Sequence, residues 1–340
     1  MTKRSIGLGL NTMMTAQDLA KWCKKGERYG FDSIWLSEDP YFRDCLPLMT
    51  VVALNTRRAR IATSIVNVYT KHPVYMAMAA ATLDEISGGR LVLGVGRGVR
   101  SLIEGELKIE YGSPLTYAEE YLLCLRRLLA GEEVSFQGKM LKMTGARLHF
   151  APLRKRIPTL LAAMGPKTLR LAGQYADGAI LNSCTSVRHA RQSSGKLRSH
   201  WRGKGEPELV CALWTSISND KQKALDSVRT SVGFLLSIPT FGELFLKQSR
   251  LPTDCLEALR KEFHWEEGVG DPMWHLAKGD PARVKELVDD RIVDALTVAG
   301  TSEDCRKRIA DYYEAGVTTA MVNPMTPETF SKLPDLLSRF

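Results

Sequence analysis

About eight short apolar runs, most of them followed by a longer stretch of helical periodicity, are spread along this 340-residue chain. The runs fall at 5–10, 33–37, 60–66, 90–95, 159–163, 178–181, 209–216 and 319–322. Helical patterns lie between them, at 47–55, 73–87, 119–129, 166–175, 221–236 and 302–315 among others. Short strands apolar at consecutive positions need cover on both faces, and intervening helices supply it. The pattern predicts parallel β-structure, and about eight repeats of the unit suit a (β/α)8 TIM barrel better than a six-stranded open sheet. The punctuation agrees. Thr15 opens a T-A-Q-D capping pattern, Gly30 closes that helix, Pro73 sits at a first helical turn, and Gly88-Gly89 ends the next helix.

Two stretches break the rhythm. Residues 132–150 alternate around Gly138, with Val134, Phe136, Met140 and Leu141 as the apolar positions, which reads as a hairpin. Residues 239–292 carry Pro239, Gly242, Pro252, Gly268, Gly270, Pro272, Gly279 and Pro281 among helical fragments, which reads as a long insertion. The expectation is one barrel domain over residues 1–340 with these two insertions.

Composition excludes several classes. Apolar residues make up 44% of the chain, too many for a disordered one. The longest strongly apolar stretch, residues 74–81, is far below the roughly 20 residues a membrane span needs. Lys plus Arg is 47 against 38 for Asp plus Glu, a net charge of +9. The basic residues are dispersed with no interleaved aromatics, so no nucleic-acid partner is expected. The tightest cluster, Arg154-Lys155-Arg156, reads as a solvated loop. Seven widely spaced cysteines with no C-x-x-C pair read as free thiols in a reducing compartment. The six histidines show no metal-ligand spacing, and the N-terminus shows no secretory signal. A cytoplasmic protein is expected.

A barrel builds its site at the C-terminal ends of its strands, so the residues after each run are the candidates. After the second run stand Glu38 and Asp39, adjacent carboxylates that strand geometry points apart; one faces a ligand, or both are ordinary loop groups. After the third come Asn67, Lys71 and His72, the last reading equally as a helix-start histidine. Gly94-x-Gly96-x-Gly98 follows the fourth. Its spacing differs from the dinucleotide fingerprint, and it reads as a place of close backbone or ligand approach. After the fifth, Met164-Gly165-Pro166 opens a helix whose free amides suit a phosphate, with Lys167 and Arg170 nearby; an ordinary strand–helix turn is the other reading.

The stretches GFDSIWLSED, RIATSIVNVYTKHPVYMAMAAATLDEISGGRLVLGVGRG, LLAAMGPKTLRLAGQYADGAIL and VAGTSEDCRKRIADYYEAGVTTAMV resemble the bacterial-luciferase-like superfamily. Within it they most resemble the coenzyme F420 (deazaflavin)-dependent reductases and dehydrogenases, such as the methylenetetrahydromethanopterin reductase-like group. The resemblance implies a (β/α)8 barrel, commonly dimeric, with F420 or FMN at the C-terminal mouth. It places a non-prolyl cis peptide at Ser64-Ile65, against the cofactor ring. It places Asn67 near the ring, Gly96, Arg97 and Gly98 beside the cofactor, and Ala162, Ala163, Met164 and Gly165 around its phosphate.

The chain also departs from that family's pattern. Where many deazaflavin enzymes carry Asp-His it has Glu38-Asp39; after Gly98 stands Val99 rather than a carboxylate; and Gly9 replaces the first-strand carboxylate of the pterin reductases. The implied function is hydride transfer between F420 and a small organic substrate held beneath the 239–292 insertion. Glu38 or Asp39 would then bind the ring edge or relay a proton. The alternatives are an FMN-dependent monooxygenase fed by a flavin reductase and O2, and a non-catalytic ligand-binding member.

Overall fold

The computed structural model describes residues 4–239, 241–267 and 272–338, so Gly268 and Gly270 of the insertion lie outside the described residues. Its parallel strands alternate with helices in the order of a (β/α)8 barrel, as the spacing of apolar runs predicts. Two compact units make up the chain. The first comprises residues 1–180 and 196–210, the second residues 181–195 and 211–340.

The first unit runs β1 (Ser5–Leu10), α1 (Ala16–Tyr29), β2 (Ser33–Leu36), α2 (Cys45–Asn55), β3 (Arg60–Thr63), β4 (Val66–Asn67), α3 (Pro73–Ile86), β5 (Leu91–Gly96), α4 (Pro114–Leu129), β6 (Val134–Gln137), β7 (Lys142–Ala146), β8 (Thr159–Ala162), α5 (Pro166–Tyr175) and β9 (Gly178–Leu181). Its parallel strands lie side by side in the order β1-β2-β3-β5-β8-β9, and the short β4 also pairs with β5. β2 and β5 are buried throughout, which is why they read as unbroken apolar runs.

The helices start and stop where local chemistry demands. Thr15 caps α1 by accepting the Asp18 amide, and Gly30 closes it at φ 105°. Gly26, inside the same helix, faces β1: a Cβ there would stand 2.6 Å from Leu8 Cδ2. Asp44 caps α2, which therefore begins at Cys45, two residues ahead of the expected start at 47. Pro114 opens α4 five residues before the expected start at 119. The expected hairpin is present as antiparallel β6–β7. Glu120 of α4 clamps it, accepting the backbone N–H groups of Lys139, Met140 and Leu141 at 2.7–2.9 Å.

The Thr82–Gly98 run is architectural at its start. Buried Asp84 accepts the Leu91 amide and pairs with Arg154. Arg90 donates to the carbonyls of Ala53, Thr56, Ala59 and Ser87 and to Thr56 Oγ1. That fan ties the end of α2 to the turn before β5. The solvated-loop reading holds for Lys155 and Arg156, which are exposed in an irregular segment, with Arg156 reaching Asp177. Arg154 departs from it: it is spent on Asp84 and the Leu91 carbonyl, because burying Asp84 without a cation would be costly.

The second unit holds α6 (Val187–Arg198), which sequence periodicity did not reveal, and β10 (Glu208–Ile217), both of which begin or end in the first unit. It continues with α7 (Lys221–Ser237), α8 (Phe241–Ser249), α9 (Cys255–Glu262), α10 (Pro272–Lys278), α11 (Pro281–Leu287), α12 (Asp290–Leu296), β11 (Val298–Gly300), α13 (Ser302–Glu314), β12 (Thr319–Pro324) and α14 (Pro327–Leu337). β10 lies between β11 and β12. The 239–292 insertion is thus mostly short helices. Its aromatic knot includes fully buried His275, stacked 3.9 Å from Trp265 with Nδ1 2.7 Å from the Phe263 carbonyl. Among the described residues no helix is long and apolar enough to cross a membrane, and no cluster of His, Cys, Asp or Glu could hold a metal ion.

Candidate functional site

The strands β2, β3 and β5 are neighbours, so the segments that follow them meet at one end of the first unit. There the Ser64–Ile65 peptide is cis, at the step between β3 and β4. Ile65 leans on the end of β5: a Cβ at Gly96 would stand 2.6 Å from Ile65 Cδ1 and 3.1 Å from Ala162 Cβ. Gly94 is tighter still, 2.0 Å from the Thr63 carbonyl oxygen for such a Cβ, while Thr63 Oγ1 accepts the Gly94 amide at 2.9 Å and donates to its carbonyl at 2.8 Å. The glycines therefore serve close backbone approach. Ile65, Gly96 and Ala162 form a ledge of small and apolar groups, with Ser64 and Ile65 half-buried beside it.

The two adjacent carboxylates diverge, as strand geometry requires. Glu38 Oε2 accepts the Asn67 amide at 2.8 Å and Oε1 takes the Lys71 ammonium. Both side chains are mostly buried, 15% and 17% exposed, which strengthens the pair relative to a surface one. Asp44 adds a second carboxylate 3.7 Å from Lys71 Nζ. Asp39 points to the loop after β1. Its Oδ2 accepts from Thr12 N at 3.2 Å, Thr12 Oγ1 at 3.0 Å and Ser37 Oγ at 2.7 Å, and among the described residues its Oδ1 makes no hydrogen bond. Glu38 thus fixes β4, whereas Asp39 fixes the first loop.

Asn67 is 8% exposed. Its Oδ1 accepts the Tyr69 amide at 2.8 Å, and its Nδ2 lies 2.2 Å from where a Cβ on Gly98 would stand. Gly98 has φ 64°, so both space and backbone require glycine. Four tyrosines brace this segment. Tyr69 stacks on Tyr111 at 4.8 Å and on Tyr117 at 4.4 Å; its hydroxyl donates to the Tyr111 carbonyl, and those of Tyr117 and Tyr121 donate to Val68 and Lys71. Burial pushes the Tyr69 and Tyr111 phenols up, and the Arg97 charge beside them partly offsets this. His72 caps α3, its Nδ1 accepting the Val74 amide at 3.3 Å, and burial lowers its basicity, so the helix-start reading holds. A bridge from Tyr41 to Glu106 links the loop after β2 with the π-helical turn Ser101–Glu106 that follows β5.

At the end of β8, Ala163 is buried and its N–H donates to the Ile180 carbonyl at 2.9 Å. Met164 and Gly165 are half-buried. Gly165 leads into α5 with no side-chain cap, and a Cβ there would meet nothing within 4 Å. Uncapped first-turn amides facing open space suit a phosphate group. The expected residues thus form three neighbouring groups: Glu38 with Asn67, Ile65 with Gly96 and Ala162, and the Ala163–Gly165 turn. Sequence reasoning passed over the partnerships of Lys71 and Thr12 and the tyrosine stack. Lys71 had a signal, a lone cation just before a helix-opening proline, whereas the tyrosines lie some forty residues apart and gave none.

The sequence pattern of the luciferase-like monooxygenase family matches residues 1–319. The 5,10-methylenetetrahydromethanopterin reductase of Methanolobus tindarius is 30% identical over 314 residues, 91% of each chain. The enzyme of the same name from Archaeoglobus fulgidus is 30% identical over 321 residues, 93% of this chain and 92% of its own. The structure of the coenzyme F420 dependent tetrahydromethanopterin reductase from Methanopyrus kandleri superimposes with a TM-score of 0.81 at 23% identity, over 98% of this chain and 97% of that one, and so shares its fold. The chain belongs to the luciferase-like monooxygenase family.

Proposed function

We propose that this protein is an F420-dependent oxidoreductase that moves a hydride between the deazaflavin and a small organic substrate. The observation that carries the reading is the Ile65–Gly96–Ala162 ledge with the open, uncapped turn at Gly165 in the same unit. A flat heterocycle fits a ledge of small and apolar groups, and its phosphate-bearing tail fits the α5 amides. Relatives named for F420 or for methylenetetrahydromethanopterin support the same cofactor.

The deazaflavin, when bound, supplies the redox chemistry, and the protein supplies placement and a dry surround. Ser64, Ile65, Gly96 and Ala162 would hold the ring. Asn67, Arg97 and Gly98 would border it. Ala163, Met164 and Gly165 would hold the phosphate. Glu38, with both oxygens engaged, keeps β4 in place for the ring. Asp39 Oδ1 is the carboxylate atom left to hold a substrate proton. A net charge of +9 suits an anionic cofactor.

The working unit is a cytoplasmic homodimer of one-barrel chains. The contact falls on the outer faces of α2 and α3, where Leu54, Tyr75, Met78 and Ile86 are 71%, 69%, 44% and 40% exposed. Light scattering of wild type and Leu54→Glu/Met78→Glu tests this, with a monomer expected for the variant only.

The competing reading is an FMN-dependent monooxygenase fed by a flavin reductase, favoured by the family's description. Two measurements separate them: oxygen uptake with supplied reduced FMN, and oxidation or reduction of F420 across a panel of small alcohols, aldehydes and enones. Substrate-dependent F420 turnover without oxygen uptake supports the proposal. Oxygen uptake with reduced FMN and no F420 turnover refutes it.

A further inference from the structure

Within the insertion, α8 and the end of α9 border an open groove of about 650 Å3, lined by Pro239, Glu243, Leu244, Lys247, Gln248 and Arg260. Such a volume lies in the range of small-molecule sites. Glu243, Leu244, Lys247 and Gln248 are spaced i, i+1, i+4 and i+5, so they occupy one face of α8. Arg260, in the last turn of α9, completes the groove by pairing through Nη2 with Glu243.

The polar groups on this face are under-used. The Lys247 ammonium makes no ion pair or hydrogen bond among the described residues, and neither does the Gln248 side-chain amide. Among the described residues Arg260 spends only Nη2; its Nε is buried with no acceptor, and its Nη1 is uncommitted. A guanidinium offers five donors, and a buried one left unmatched is costly. Two cations against one carboxylate leave this face net positive. Leu244 and Pro239 supply an apolar wall beside the charge.

We propose that this groove is a binding site for a small organic anion, a carboxylate or phosphate ester on an apolar body. The anion takes hydrogen bonds from Arg260 Nη1 and Lys247 Nζ, with Gln248 as a further donor, and the body lies against Leu244 and Pro239. Planar, forked recognition of a carboxylate favours arginine here. The site owes nothing to the deazaflavin reading, since all its residues lie in α8, α9 and the turn before α8.

The test uses the full-length protein and two probes of matched shape, 4-phenylbutyrate and 4-phenylbutanol, by titration calorimetry. The acid is expected to bind wild type at least tenfold more tightly than the alcohol. Lys247→Met and Arg260→Met are each expected to weaken the acid five- to twentyfold and leave the alcohol unchanged, and Arg260→Lys to fall between. Far-UV circular dichroism on every variant establishes folding, and Lys247→Met, which breaks no contact, keeps the test open if Arg260→Met fails to fold. Equal binding of acid and alcohol, no binding of either, or an acid affinity indifferent to Lys247→Met overturns the proposal. F420 binding, read separately by its fluorescence, is expected to be the same in all variants. Its failure in wild type would count against the oxidoreductase reading alone.

Discussion

Three alanine substitutions separate what the glycines do for the fold from what they do for the site. At Gly94 a Cβ would meet the Thr63 carbonyl oxygen at 2.0 Å and Ile180 Cδ1 at 2.7 Å. A backbone oxygen inside a paired strand cannot give way, so Gly94→Ala is expected near the upper end of overpacking costs, about 3 kcal/mol. For a chain of this size that is a fall in Tm of roughly 4 °C. At Gly96 the obstacle is the tip of Ile65, at 2.6 and 2.8 Å. That half-buried side chain can turn, at about 1 kcal/mol and a degree or two of Tm. It turns toward the proposed ring position, so Gly96→Ala is expected to weaken F420 about tenfold, or about 1.4 kcal/mol. At Gly165 a Cβ meets nothing and φ is −114°, so Gly165→Ala leaves Tm within about 1 °C. Its methyl nevertheless occupies the space assigned to the phosphate, and F420 is expected to bind several-fold more weakly. Thermal unfolding by circular dichroism and F420 fluorescence titration on the same samples give both readings. Wild-type F420 affinity in folded Gly96→Ala and Gly165→Ala would refute the assignment.

The carboxylate clamps set an acid limit. Glu27 of α1 accepts the backbone N–H groups of Arg57, Arg58 and Ala59, as Glu120 accepts those of Lys139, Met140 and Leu141. Burial alone would raise Glu27 and Glu120, but the three amides on each outweigh it and hold both carboxyls below the usual range. A folded value below the unfolded one of about 4.3 means their contribution is complete above about pH 5 and is lost as pH falls through the folded value. Urea midpoints from pH 7 to 3 are therefore expected to fall less steeply in Glu27→Gln/Glu120→Gln than in wild type; parallel curves would contradict this. Arg90→Met removes five hydrogen bonds, three of them at the α2 terminus, and is expected to cost about 3 kcal/mol in urea unfolding, with Arg90→Lys recovering less than half. Lys71→Met leaves Glu38 mostly buried without its cation and is expected to lower Tm by several degrees and weaken F420, both substantially restored by Lys71→Arg. If Lys71→Met is silent in both assays, the pair does not position β4.

The barrel was legible because fully buried parallel strands such as β2 and β5 must be apolar at successive positions, and because Thr15, Gly30 and Pro73 each leave a residue-level mark. The stretch from Asp84 to Arg90 carried the family resemblance, yet its side chains are spent on architecture: Asp84 holds Arg154 and the Leu91 amide, and Arg90 holds the end of α2. Recognisability and the proposed cofactor site therefore sit at different ends of β5. The division of labour between Glu38 and Asp39 was foreseeable only as divergence, because the partners that decide it, Lys71 and Thr12, come from other loops. Helix α6 escaped notice because its apolar positions are sparse and much of its buried face is Ser193, Ser194 and His189.

The most direct measurement is the ratio of dissociation constants for F420 and FMN, taken by fluorescence titration on one preparation of the wild-type protein. The account predicts that F420 binds more tightly, by tenfold or more. FMN binding with equal or greater strength would contradict it.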